Sequence, residues 1–381
     1  MIGLLALFAC GDGTAEVRAD LEAKGLTVLE VKLVESEQGE LFEYAGTRDG
    51  QFCMGDVGRS GSSLGCASST NSLTTEVCSD DGGLFAQAWR CDHLSVGTAC
   101  NDAGVILAKD GKPEGFERVV RGCNLGFADA CRNAGVIVNG GLAGQAADPF
   151  AAATWFERAC YGGSGIACKA RGTLLKTPAS PFACGTAAGT WFERGVALNN
   201  ADSCNELGLQ LNNCENGDKV RARAMFKAAC DGGEVAGCSN LGSMRWAGHG
   251  GDVDVPGALS AWETGCTSKE PSVKACIKRA NNGPPAEATV WLGKACDAGD
   301  LDACLDFGVG LIKANVNDQG SVMLAAFQKA CDGANATGCR NIGVVRRDGL
   351  LGLEKSKDEA HAMFVKACDM GDAPACRELK K

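Results

Sequence analysis

The chain has 381 residues, with 53 Gly, 23 Cys, 9 Pro and a net charge of −10. Its acidic balance, without any basic run, excludes the phosphate-neutralising surface of a nucleic-acid binder, and no run of 18 apolar residues is present to span a membrane. So many cysteines are rare in a reducing cytosol, so an exported protein with a disulfide framework is expected.

Residues 1–10 read MIGLLALFAC, apolar up to Cys10 and polar after it. Leu7-Phe8-Ala9-Cys10 resembles the lipobox of bacterial lipoproteins. The resemblance implies cleavage before Cys10, lipidation of that residue, and a place in the bacterial cell envelope or outside the cell. The apolar stretch is short and no Lys or Arg precedes Arg18; a start codon placed too late would explain both departures, and an ordinary buried N-terminal segment ending in a Cys is the alternative. Setting Cys10 aside leaves an even number of cysteines, as full pairing requires.

Residues 11–60 predict a small α+β module. Ala15–Lys24 reads as a short amphipathic helix ended by Gly25. LTVLEVKLVES alternates apolar and polar residues as a half-buried strand does, and ELFEYAG and QFCMGDV follow as two more strands around a turn at Arg48-Asp49-Gly50. The Gly/Ser-rich stretch after them predicts a linker over residues 61–76.

Residues 77–381 repeat themselves. KAACDGGEVAGCSNLG at 227–242 returns as KACDAGDLDACLDFG at 294–308, KACDGANATGCRNIG at 329–343 and KACDMGDAPACRELK at 366–380. On one straight helix the two cysteines of such a string would stand about 12 Å apart, and a disulfide needs Cα atoms within about 7 Å. The chain must therefore turn back between them, and Gly162-Gly163, Gly232-Gly233, Gly299, Gly333 and Gly371 stand where it does. Each pair then staples a hairpin of helix A and helix B. The pairs are Cys91–Cys100, Cys123–Cys131, Cys160–Cys168, Cys230–Cys238, Cys266–Cys276, Cys296–Cys304, Cys331–Cys339 and Cys368–Cys376. In a further unit Val196 replaces the first cysteine and Cys204 keeps the second.

The flanks keep step. Four residues before the first cysteine stands an aromatic, at Phe156, Phe226, Trp262, Phe327 and Phe364. Four after the second stands Gly, at Gly104, Gly135, Gly172, Gly208, Gly242, Gly308 and Gly343, which predicts close helix approach there. Nine units at a mean period of about 35 residues predict an all-α fold: an α/α solenoid of disulfide-stapled helix-turn-helix repeats behind the small α+β module.

The F-x-K-A-C-D-x-G-x-x-x-G/A-C-x-x-x-G core and the G-x-G-G-D-V run at Gly248–Val253 resemble the Sel1-like repeat. Within it they are similar to its cysteine-rich bacterial branch, the Helicobacter cysteine-rich proteins. The resemblance covers about residues 80–381. It implies a superhelix with one disulfide per repeat and a role in protein–protein contact, here with an unknown protein or peptide. It also carries an alternative, since some cysteine-rich members are described as penicillin-binding or weakly β-lactamase-like; a purely structural envelope role is a third reading.

Six cysteines remain: Cys53, Cys66, Cys78, Cys184, Cys204 and Cys214. Three lie near the N-terminus and three around the Val196 unit, so a longer link or two free thiols must follow. No catalytic signature is expected. S-x-x-K, K-T-G, H-E-x-x-H, a P-loop and C-x-x-C are absent, a G-x-S-x-G elbow is not expected, and no cofactor or metal is implied. His93, His249 and His361 fall at unrelated repeat positions and read as surface polar residues. Trp155, Trp191 and Trp291 stand five before the first-cysteine position, one step off the core stripe. They are candidates for binding a partner in a groove lined by helix A, or else for core between repeats.

Overall fold

The computed structural model describes residues 14–36, 39–49, 51–60, 70–79, 82–176, 186–315 and 318–380. The expected lipobox and Cys10 lie outside them. The chain divides into two compact units, 1–174 and 175–381.

The first unit opens with α1 (Thr14–Ala23) and four strands, β1 (Thr27–Ser36), β2 (Gly39–Arg48), β3 (Gln51–Ser60) and β4 (Thr70–Ser79). They form an antiparallel meander in the order β1-β2-β3-β4. Val17 and Leu21 of α1 pack on Phe42 and Tyr44 of β2 and on Cys53 and Val57 of β3, the alternate residues that a pleated strand points to one face. On β1 the inward residues change parity, from Val28 to Val31 and Leu33. The register shift between Val28 and Glu30 accounts for this: a bulge adds one residue and swaps faces. Leu29, at the bulge, is left exposed. Two expectations are corrected here. The module has four strands, not three, and the linker expected over 61–76 gives way at Thr70 to β4, whose polar TNSLTTEVCS pairs with β3 throughout.

The same unit continues with three helical hairpins: α2 (Gly82–Leu94) with α3 (Gly97–Lys109), α4 (Glu114–Asn124) with α5 (Ala128–Gly140), and α6 (Pro149–Tyr161) with α7 (Gly165–Thr173). The second unit has six: α8 (Thr186–Ala197) with α9 (Ala201–Asn213), α10 (Lys219–Asp231) with α11 (Val235–Ala247), α12 (Val255–Thr267) with α13 (Val273–Asn282), α14 (Ala288–Asp297) with α15 (Leu301–Ala314), α16 (Gly320–Asp332) with α17 (Ala336–Asp348), and α18 (Lys357–Asp369) with α19 (Ala373–Glu378). Within each unit helix B of one hairpin packs on helix A of the next, as α5 does on α6 and α17 on α18.

Seven of the nine described hairpins share a short code. Three residues past the first cysteine the backbone is left-handed, at Gly126, Gly163, Gly233, Gly299 and Gly371 with φ from 87° to 101°. Asn199 and Ala334 hold the same place at φ 56° and 64°. The glycines expected to fill it at 162, 232 and 333 are instead ordinary C-caps at φ −74°, −82° and −77°. Helix B then starts four residues before its cysteine. The side chains of Ser164, Asn200, Ser272, Asp300 and Asp372 accept the amides of Ala167, Ser203, Ala275, Ala303 and Ala375, a cap worth about 1 kcal/mol. The fold back brings the cysteine Cα atoms to 4.5–4.8 Å in all eight pairs.

Neighbouring hairpins lock through size. A Cβ on Gly135 or Gly208 would come to 2.7 Å from the ring of Phe156 or Phe226 in the next helix A, and one on Gly343 to 2.6 Å from Phe364. Gly242 under Trp262 and Gly308 under Phe327 repeat the relation. Where helix B carries Ala280 in place of Gly, the ring position of the next helix holds Leu292. Cationic side chains two before the first cysteine tie successive A helices. Arg121, Arg158 and Lys329 donate to the carbonyls of Asp92, Cys123 and Cys296 at 3.2, 3.2 and 2.6 Å, neutralising helix C-termini.

Candidate functional site

A cleft of about 550 Å³ lies in the second unit along helices B. Residues of α9, α11 and α13 line it, and α10 and α12 contribute only their buried rings, Phe226 and Trp262. Stacking at a 35-residue step brings the same face of each helix B to the same side. That face is polar at two residues past the cysteine: Asn240 on α11 and Lys278 on α13. Asn240 is held by donating to Asn205 Oδ1 of α9 at 2.9 Å, and Asn133 does the same to Asn101 in the first unit at 2.7 Å.

Trp246 on α11 stands at the cleft 38% exposed, its ring centroid 5.7 Å from that of Trp262 and tilted by 39°. Trp262 is itself fixed from below, donating from Nε1 to the carbonyl of Ser239 at 3.1 Å. Across from Trp246, Lys274 and Lys278 lie one turn apart on α13, both exposed. His249 adds an imidazole to the lining, which contains no carboxylate. Disulfides Cys230–Cys238 and Cys266–Cys276 fasten α11 and α13 to their partner helices, so the walls are stiff. The arrangement offers a flat aromatic surface, amide groups and ammonium groups along one cleft.

The tryptophans expected to bind a partner from helix A are placed differently. Trp291 is 7% exposed and lies in a core cluster with Ala280, Trp262 and Ala295. The Arg279 guanidinium stands 4.8 Å from its ring centroid. Leu292 leaves the usual ring site underfilled, and the indole one position earlier occupies it, so Trp291 is core and offers no binding surface. Trp155 is half-buried, edge-on to Phe116 at 6.2 Å, and Trp191 is half-buried. Neither lines the cleft, whose open face is made by helices B and not by the expected helices A. Trp246 was missed because it sits eight past its second cysteine, outside the aromatic stripe. The recurring polar residue two past that cysteine was the legible signal.

All sixteen cysteines of the eight hairpins are in disulfides. Cys53 and Cys214 are disulfide-bonded too, and Cys53 stands in register with Cys78 on β4. Cys66 and Cys184 lie outside the described residues. Cys204 is the free thiol among the described cysteines, buried beside the α8–α9 turn, and burial raises its pKa. The expectation of no G-x-S-x-G fails on the sequence: Gly61-Ser62-Ser63-Leu64-Gly65 has that spacing. It lies outside the described residues and joins two neighbouring antiparallel strands, β3 and β4, whereas a nucleophile elbow needs a strand-to-helix turn. Among the described residues no helix is long and apolar enough to cross a membrane.

The Sel1 repeat family matches residues 128–164, 201–234, 282–300 and 336–372. Three of these segments run from a helix B into the following helix A, so in the family's phase each disulfide links one repeat to the next. No curated protein matches the chain. Among solved structures, a protective antigen of uropathogenic Escherichia coli with an SLR fold aligns at TM-score 0.54 and 18% identity, covering 78% of this chain and 66% of its own. A Sel1 repeat protein from Oxalobacter formigenes aligns at TM-score 0.52 and 20% identity, covering 80% and 95%. The chain thus spans just under two thirds of the first relative, and both likenesses are of fold. Hairpin geometry and family segments agree: the chain carries Sel1 repeats, and its hairpins are closed by disulfides.

Proposed function

We propose that the chain is an exported scaffold, lipid-anchored through Cys10, that binds a protein or peptide partner in the cleft lined by its B helices. The single observation that carries this reading is the cleft of about 550 Å³ at Trp246, open, stiff-walled and free of an assembled catalytic group among its lining residues. Sel1 repeats serve protein contact in general, and eight disulfides suit an oxidising, non-cytoplasmic setting. Each closes a nine- to eleven-residue loop worth about 2.5 kcal/mol in the chain-entropy account. A crosslinked pull-down from envelope extracts tests the reading, comparing the wild type with Trp246→Ala. A partner recovered by the first and lost by the second, at unchanged helical signal, supports it. Hydrolysis of nitrocefin that Trp246→Ala abolishes would replace it with the enzyme reading. For the anchor, Cys10→Ser should move the protein from the membrane fraction to the soluble one; a wild type already soluble with intact Met1 contradicts the anchor.

A further inference from the structure

We infer that the partner segment held in the B-helix cleft is acidic, carrying Asp or Glu beside an aromatic or aliphatic anchor residue. The inference rests on the scaffold reading above and deepens it. The chain as a whole carries an excess of ten carboxylates over basic residues, yet the cleft lining holds Lys274, Lys278 and His249 and no Asp or Glu. Other crevices of the same unit do not share this: one carries Glu193 and Glu215, another Asp306 beside Lys313. The local charge is therefore opposite to the global one. Charges beyond about 8 Å are screened in physiological salt, and the charged side chains of the lining itself are the two ammonium groups.

Those groups are placed for the task. Lys274 and Lys278 are i,i+4 neighbours on α13, and Asn282 extends the row by one more turn, so the three face one way. Their helix is anchored by Cys276 on its opposite side. At the facing rim the Lys219 ammonium donates to the Asn212 carbonyl, adding a third cation near the opening. Trp246 supplies the apolar element, an exposed indole backed by the buried Trp262. An aromatic surface desolvated by an anchor residue and bordered by charge is the usual make-up of a binding hot spot. A basic segment would meet no carboxylate in the lining.

A random peptide display library selected on the full chain tests this, with a Lys274→Glu/Lys278→Glu double variant and a Lys109→Glu variant as parallel baits. Lys274, Lys278 and Lys109 are exposed, so all three baits keep the fold, checked by helical signal and non-reducing peptide mapping. The expected result is a wild-type pool enriched in Asp, Glu and aromatic residues, unchanged on the Lys109→Glu bait and turned to Lys and Arg on the double variant. For a selected acidic peptide, affinity for the double variant should fall about tenfold or more. If peptides are enriched but their charge does not respond to the double reversal, the acidic-partner inference falls while the scaffold reading stands. If no bait enriches any sequence, both fall.

Discussion

Gly242 on α11 lies directly beneath the indole of Trp262 on α12. A Cβ at position 242 would come within 3.0 Å of three ring atoms, closer than packed side chains tolerate. The ring is less than 2% exposed and is held by its bond to the Ser239 carbonyl, so it resists moving aside. Gly242→Ala is therefore expected to destabilise the protein by about 1–3 kcal/mol through overpacking, although Ala is the better helix former by about 1 kcal/mol. The urea midpoint under oxidising conditions checks it; an unchanged or higher midpoint contradicts the close-approach account of the repeating glycine.

Ala334 occupies the left-handed turn position at φ 64° that five sister hairpins give to Gly. Ala334→Gly removes the Cβ clash of that conformation and should raise stability by about 0.5–1 kcal/mol, net of the entropy Gly adds to the unfolded chain. The same urea titration reads it, and a lower midpoint argues against a strained turn.

The hairpins were legible in the sequence because two constraints coincide. A disulfide cannot bridge eight residues of one helix, and the glycines mark where the chain reverses. The phase of the turn was not, since Gly162 and Gly333 look as fit for the left-handed position as Gly163 does; the capping of helix B four residues before its cysteine decides it. β4 was hidden because TNSLTTEVCS is polar and its order comes from pairing with β3, a non-local gain. The cleft was hidden for a similar reason. Which helix of a pair faces an opening depends on how successive hairpins stack, and Trp291 could be known as core only once Ala280 and Leu292 were seen to leave its space.

The α8–α9 hairpin keeps every feature of its sisters except the first cysteine. Asn199 is left-handed, Asn200 caps α9, and Val196 stands eight before Cys204. Val196→Cys should close a ninth staple of the same loop length and add about 2.5 kcal/mol. Peptide mapping without reductant should find a 196–204 link; its absence in oxidised protein would show that this hairpin departs from the shared geometry.

In the wild type Cys204 is buried, and burial raises its thiol pKa above the ordinary value of 9.0. The thiolate is the reactive form, so at pH 8 alkylation of Cys204 by iodoacetamide should be at least about tenfold slower in the folded protein than in urea. The folded rate should still be climbing above pH 9, where an unshifted thiol would level off. Equal rates in both states would place the thiol at the surface.

The claim that the working face belongs to the B helices is tested most directly by site-specific photocrosslinking in cells. A photoreactive phenylalanine analogue is placed in turn at 246 on helix B and at 155 and 191 on helices A. The account predicts a partner adduct from position 246 and none from 155 or 191. An adduct from 155 or 191 with none from 246 would contradict it and return the binding surface to helix A.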